Sequence, residues 1–280
     1  MRIDGKKIAR EIYKKLKEDT WELRPRPSMC IILVGKNSPS LRYVKQKRKW
    51  ADYLGYTFEL IEYSNDVSEE ILKNKILELN ADSHIHGIMV QTPLPNHICP
   101  QIVIDTIDSN KDIDGFSAIN QGKILIGDKT WLAACTPAGI MEIFESEKID
   151  IVGKHIVIIG RSNIVWKPLA NLCINAWATV TICHSKTLDI SLYTRQADIL
   201  IVATGKPKLI QENMLKKEAI VIDVGFSVVD GEILWDTDFH TIEKNHRITP
   251  NPGWVGPLTV AMLMKNVYKA YQIQMKSSIS

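Results

Sequence analysis

Tyr43 and Lys47 stand four apart in the run SLRYVKQKRK, so on a helix they share one face. A lysine partly buried there, crowded by the like charges of Lys45, Arg48 and Lys49, has its ammonium form disfavoured twice over. It then moves towards the range in which it can take and return a proton. Most helical lysines are simply solvated, so the pair alone proves little. Gln91 closes an apolar run just before Pro93, where a polar amide has few structural duties. Asp112 and Asp114 flank Ile113 in a loop that must turn at Gly115, and either carboxylate can brace that turn. Further along, Gly160, Arg161 and Ser162 follow the apolar run HIVII and precede a helix-like segment from Pro168. That order offers backbone N–H groups and a helix start to an anion, as dinucleotide-binding turns do. A plain strand-to-helix turn reads the same locally.

In dinucleotide-binding folds the second strand usually ends in an acid that binds the ribose of NAD. Here the strand TVTIC ends in His184, Ser185, Lys186 and Thr187. Hydroxyls and a lysine, with Arg161 near, suit the extra phosphate of NADP, which is preferred over NAD as the expected cofactor.

Two sets of elements must position these residues. In the first part helical patterns over Lys6–Leu23, Ser40–Leu54 and Ser68–Leu79 alternate with strand patterns at Met29–Gly35, Tyr56–Tyr63 and Gly87–Pro95. Lys111–Phe116 is a polar loop after a further short helix. From about Thr136 the strands at 155–160, Thr179–His184, Asp198–Gly205 and Ala219–Gly225 are unbroken Val/Ile runs, as in parallel sheets covered on both faces. A last helix runs from Gly256 to about Met275, with Val260, Leu263, Met264 and Val267 apolar. The fold expected is α/β: two α/β domains, the second a Rossmann-like parallel sheet, with a cleft between them. Residues 1–117 with the helix 257–280 form the first domain, and 118–256 the second.

Composition narrows the function classes. At 280 residues, 45% hydrophobic and 24% charged, the chain suits an ordinary globular protein of two domains. A net charge of +3 argues for no nucleic acid partner, and the short run KQKRK reads as a solvated helix face. The five cysteines are scattered, without metal-ligand spacing, as reduced thiols in a cytoplasmic protein; no metal is expected. No apolar run is long enough to span a membrane, and the start lacks a signal-peptide core.

The runs YVKQK, GIMVQTPLP, KDIDGF, CTPAGI, GRSNIV, ATVTICHSKT, VIDVG and PNPGWVGPLTVAML occur in one order along nearly the whole chain. In that order they resemble the bifunctional methylenetetrahydrofolate dehydrogenase/methenyltetrahydrofolate cyclohydrolase family. The resemblance implies NADP-dependent oxidation of 5,10-methylenetetrahydrofolate to the 5,10-methenyl cation, then hydrolysis of the cation to 10-formyltetrahydrofolate. It implies Lys47 as catalytic lysine, Tyr43 against the folate ring, Gln91 as the amide that tunes the lysine, and Asp114 as the pterin-binding carboxylate. Val90, Thr92, Pro252, Gly253, Val255 and Gly256 are implied on the folate side, and Gly160, Arg161, Ser162, Ser185 and Phe226 on the NADP side. A homodimer is implied too, though no apolar stripe shows it independently.

Departures from the family pattern concentrate on tryptophan. Trp166 and Trp254 replace glycines of GRSxIVG and PGGVG, and Trp177 and Trp235 stand where relatives carry small residues. Trp21, Trp50 and Trp131 fall where glycine would be unremarkable. Ser227 and Asn251 are milder departures on the nicotinamide side. A tryptophan at the phosphate turn blocks the close approach that glycine allows, and Trp254 is likewise placed to intrude on the folate loop, which gives a folded but catalytically impaired relative. A UGA codon read as tryptophan where its source reads glycine gives an intact enzyme instead. Fifteen glycines beside seven tryptophans fit that second reading, since glycine averages about 7% of residues. A third alternative is another two-domain NADP dehydrogenase of the shikimate dehydrogenase kind.

Overall fold

The structure, a computed structural model, describes residues 2–35, 37–163, 165–229, 232–250 and 254–277. Its contacts divide the chain into two compact units, residues 10–135 with 259–280, and residues 1–9 with 136–258.

The unit of residues 10–135 opens with most of α1 (Gly5–Thr20) and then alternates strand and helix. The elements are β1 (Ser28–Val34), α2 (Ser38–Leu54), β2 (Thr57–Tyr63), α3 (Glu69–Ala81), β3 (Gly87–Gln91), α4 (Pro100–Asp105) and α5 (Ala118–Leu125). β1 and β3 are buried at every position, and the three strands pair in parallel in the order β2-β1-β3. Such strands need crossovers, and the sequence supplies them with clear ends. Helix α2 has Pro39 in its first turn and stops at Gly55, whose φ of 69° any side chain would resist. Helix α3 starts where the Ser68 side chain accepts from Ile71 N, with Glu69 and Glu70 in its first turn. Cys30, Ile32, Leu72, Ile76 and Ile88 form the core between sheet and helices.

The other unit runs through α6 (Cys135–Ser146), β4 (His155–Ile159), α7 (Trp166–Asn175), β5 (Thr179–Cys183), α8 (Ser191–Thr194) and β6 (Ile199–Val202). There follow β7 (Ile220–Asp223), the hairpin β8 (Phe226–Val229) and β9 (Glu232–Trp235), α9 (Phe239–Ile242) and β10 (Arg247–Ile248). Five strands form a parallel sheet in the order β10-β7-β6-β4-β5, the doubly wound arrangement expected of this half. The edge strand β10 and the antiparallel hairpin were not expected, being two to four residues long without a distinctive pattern. The last helix, α10 (Val255–Ser277), buries Val260, Leu263, Met264 and Val267 as its spacing predicts.

The division lies later than the sequence suggests. Residues 118–135 stay with the first unit because α5 is tied to the loop before it: Asn120 Nδ2 donates to Ser109 O at 2.9 Å and to Asp112 Oδ2 at 3.1 Å. Residues 1–9 join the other unit, where Ile3 N donates to Ile248 O and Arg2 pairs with Glu243 at 2.7 Å.

Candidate active site and cofactor-binding turn

Helix α2 buries one stripe: Ser40, Val44, Lys47, Ala51 and Leu54. Lys47 therefore occupies a core position of an amphipathic helix and is only 6% exposed. Its Nζ donates to Gln91 Oε1 at 2.8 Å and lies 3.1 Å from Met89 Sδ. Burial drives its pKa down, while the charge of Asp114 and the nearby Cys135 pull it back in part. The crowding expected from neighbouring cations does not set this balance. Lys45, Arg48 and Lys49 are exposed, Arg48 over the Phe58 ring and Lys49 over Trp50. Tyr43, one turn before, is 46% exposed and lies at the rim of the stripe.

Gln91 ends β3 with its amide held from both sides. Its Nε2 donates to Thr92 O at 2.8 Å, which leaves Oε1 to face the lysine. Val90 is buried beside it, and Thr92 is half-buried where the chain leaves the sheet.

The two aspartates divide the labour that the sequence leaves open. Asp112 is buried and fully engaged: Oδ1 accepts from Gly115 N, and Oδ2 accepts from Ser117 N and the Asn120 amide. Asp112 is the brace. Asp114 is left half-buried beside the Lys47 and Cys135 side chains, its carboxyl pushed up to about 6 mainly by desolvation. Its position is fixed by Gly115 at φ 70°, whose α-carbon lies against the backbone of Ala133 and Ala134 so closely that no side chain fits. Two residues missed in the sequence complete this arrangement. Cys135 opens α6, fully buried against Asp114, with its thiol pKa driven up by burial. Asn266 of α10 donates its amide to Ile113 O and to Ala133 O, both at 2.8 Å, and so ties the aspartate loop to the segment that carries Cys135. An asparagine one position before Val267 in an apolar helix was the available signal.

In the other unit, the turn after β4 brings Gly160, Arg161 and Ser162 to the mouth of a cavity of about 540 Å³, with Ser185 and Lys206 also in its lining. Gly160 N donates to Cys183 O, which ties the turn to the end of β5. Ser162 Oγ accepts from Val165 N, in the turn just before α7. Exposed hydroxyls, an arginine and a lysine around one concavity fit a phosphorylated dinucleotide. Asp189, passed over in the sequence, also lines the cavity, and its Oδ1 accepts from Ser191 N at the start of α8. Phe226 opens β8, opposite Trp235 in register. Val255 and Gly256 open α10, within the unit of residues 136–258; Pro252 and Gly253 lie outside the described residues, as does Asn251. No group of three or more His, Cys, Asp or Glu side chains is placed to hold a metal ion among the described residues. Nor is any helix there long and apolar enough to cross a membrane.

Trp254, which the sequence places to intrude on a ligand loop, turns inward instead. It is 2% exposed and its Nε1 donates to Asp223 O at 2.8 Å. Trp50 stacks on Tyr13 with ring centroids 3.6 Å apart, and Lys269 caps Trp131. These three are accommodated by burial or ring contacts.

Residues 3–114 match the family model described as the tetrahydrofolate dehydrogenase/cyclohydrolase catalytic domain, and residues 134–275 match its NAD(P)-binding domain. The bifunctional protein FolD of Exiguobacterium sibiricum is 46% identical over 272 residues, which cover 96% of this chain and 98% of that protein. The crystal structure of the bifunctional FolD methylenetetrahydrofolate dehydrogenase/cyclohydrolase from Campylobacter jejuni superposes with a TM-score of 0.94 at 42% identity, covering 98% of this chain and 99% of that one. The FolD of Trypanosoma brucei, solved with NADP cofactor and an inhibitor, gives 0.91 at 35% identity over 98% of both chains. With both domain models matched in order over nearly its whole length, this chain belongs to the tetrahydrofolate dehydrogenase/cyclohydrolase family.

Proposed function

We propose that this protein is a bifunctional one-carbon folate enzyme. It oxidises 5,10-methylenetetrahydrofolate to the 5,10-methenyl cation with NADP, and hydrolyses that cation to 10-formyltetrahydrofolate. The observation that carries the reading is Lys47: a lysine buried on the catalytic-domain helix, bonded at 2.8 Å to Gln91 and electrostatically coupled to Asp114.

In this reading Asp114 holds the pterin through its ring N–H groups, and Tyr43 packs against the folate ring system. Val90, Thr92 and the segment of Pro252, Gly253, Val255 and Gly256 complete the substrate contacts. Gly160, Arg161, Ser162, Ser185 and Phe226 hold the cofactor, with the cation of Arg161 and the hydroxyl of Ser185 favouring NADP over NAD. NADP, when bound, supplies the hydride acceptor. The chain's own contribution to that step is alignment, which lowers the barrier by fixing donor and acceptor in one geometry.

Hydrolysis uses the lysine directly. Water adds to the methenyl carbon and loses one proton to Lys47 Nζ, which burial keeps in its neutral form more readily than an exposed lysine. The adduct's hydroxyl proton then passes to N5 as the carbon–N5 bond breaks, leaving the formyl group on N10. One proton is released overall. Gln91 holds Nζ in place throughout; with its own NH₂ group spent on Thr92, it can offer the lysine only its oxygen.

Alternative readings, an impaired relative or a shikimate dehydrogenase-like enzyme, are not favoured by 46% identity over the full chain to a bifunctional protein. We further infer a cytoplasmic homodimer, from the resemblance alone. The test is a pair of assays on protein purified from its source cells: NADPH formation from methylenetetrahydrofolate, and decay of methenyltetrahydrofolate. Both activities are expected, and both should fall in Lys47→Met or Asp114→Asn. Protein that reduces NADP with shikimate and leaves the folates untouched would overturn the reading.

A further inference from the structure

Two of the seven tryptophans sit where glycine would be better suited, Trp177 by its backbone and Trp166 by its place beside the phosphate turn. Helix α7 ends at Asn175, and its terminus is closed by Trp177 N donating to Ile174 O and Ala178 N donating to Cys173 O. That second bond, reaching back five residues, belongs to the helix terminus whose turning residue is left-handed and is usually glycine. The turning residue here is Trp177, with φ 65°. A bulky L-residue is strained in that region, and such strain persists where surrounding contacts enforce it. Here the side chain is 79% exposed, so packing offers little to offset the strain.

Trp166 poses the second case, at the other end of the same helix. It is the first residue of α7, 5% exposed, and the Nε1–Cδ1 edge of its indole lies against Gly160. A β-carbon on Gly160 would overlap Trp166 Nε1 and Cδ1. The indole therefore fills the space beside the phosphate turn, on the wall of the cavity lined by Arg161, Ser162 and Ser185. A helix N-terminus receives a diphosphate through bare backbone, and a glycine at this position lets the anion come close. Trp50, Trp131 and Trp254 show neither signature, being stacked, capped or hydrogen-bonded.

We propose that positions 166 and 177 carry glycine in the native protein, and that the indole of Trp166 stands in the diphosphate seat of the NADP site. Both substitutions arise in one step where UGA codons that the source reads as glycine are read as tryptophan. The inference rests on the proposed NADP function only for the identity of the ligand. The left-handed turn at Trp177 stands without it.

The test has three readouts. Trypsin releases residues 162–186 as one peptide, because Pro168 protects the Lys167 bond, and this peptide spans both positions. Isolated from source cells, it is expected to be lighter than the printed sequence by two tryptophan-to-glycine differences; the mass of the printed sequence would overturn the proposal. For recombinant protein as printed, Trp166→Gly is expected to tighten NADP binding at least tenfold, and a Kd within twofold of the parent overturns the assignment of the seat. Trp177→Gly is expected to raise Tm by about 2–4 °C, and a lowered Tm overturns the claim for that turn. Methenyltetrahydrofolate hydrolysis, measured on the same samples, separates the two readings. Its loss in every sample refutes the folate function and leaves the peptide mass and NADP affinity to judge the glycines.

Discussion

Asp114→Asn is the perturbation that most directly interrogates the candidate site, because it keeps the shape of the side chain and removes its charge. Asp114 has its carboxyl pushed up to about 6 by desolvation, with the Lys47 charge opposing the shift. At pH 7.5 it is ionised; as the pH falls through about 6 it takes up a proton, and the hydrogen bonds it accepts lose their charge assistance. A charge-assisted hydrogen bond in a partly buried site contributes about 1.5–3 kcal/mol, or roughly 10- to 150-fold in Kd. The variant should therefore bind tetrahydrofolate about 10- to 100-fold more weakly at pH 7.5. The measurement is calorimetric titration with tetrahydrofolate at a series of pH values from about 5.5 to 8. Native affinity should fall towards that of the variant below pH 6, while the variant's affinity stays nearly flat. Two curves that run parallel across the range, or differ by less than about threefold at pH 7.5, would refute the role given to this carboxylate. The variant also tests the coupling to Lys47. Asp114 raises the lysine's pKa, so its loss should extend residual hydrolysis to lower pH.

Three further outcomes are expected. Lys47→Met should lower methenyltetrahydrofolate hydrolysis by about 10²- to 10⁴-fold, and Lys47→Arg should not rescue it because a guanidinium stays protonated; stopped-flow decay of the substrate reads this directly. Asn266→Ala leaves Ile113 O and Ala133 O without their amide donor, and should cost about 2–4 kcal/mol in urea unfolding and raise KM for the folate. Asp223 is pushed up to about 7 by burial, above its ordinary value of 3.8, so the native state holds its proton more tightly than the unfolded chain. Its contribution to stability is therefore greatest below about pH 4, is lost as pH rises to about 7, and is constant above. The amplitude is about 4 kcal/mol, and Asp223→Asn should flatten that slope in unfolding curves taken across pH.

How much of this was legible in the sequence depends on which physical signal carried it. The parallel strands declared themselves as unbroken Val/Ile runs, and α10 by its apolar spacing; both signals come from burial that any chain must arrange. Lys47 was legible as a candidate, and the reason it matters was only half visible. Neighbouring cations suggested a depressed pKa, whereas the depression comes from its place on the buried stripe with Val44, Ala51 and Leu54. The choice between Asp112 and Asp114 could not be read at all. It depends on which carboxylate meets Gly115 N, Ser117 N and the Asn120 amide, and that is decided by a turn and a helix eight residues away. Cys135 and Asn266 stayed hidden because they reach the loop from distant stretches of chain. Trp254 misled for the same reason, its indole being drawn into a core that the local motif does not describe.

Asn266 also sets a timetable. The unit that holds Lys47 is made from residues 10–135 and then from residues beyond 258, with the whole of the other unit encoded between. At roughly 5–20 residues per second of synthesis, the aspartate loop emerges many seconds before the amide that ties it to Ala133. During that interval β1, β2 and β3 can pair, Lys47 can find Gln91 and Asp112 can brace its turn, but the loop around Asp114 lacks its tie to the Ala133 segment. The nascent chain thus carries an assembled lysine and an unfinished carboxylate. Helix α10, translated after the other unit, acts as the fastener, so that this half of the enzyme is completed only after its neighbour in the chain has been made.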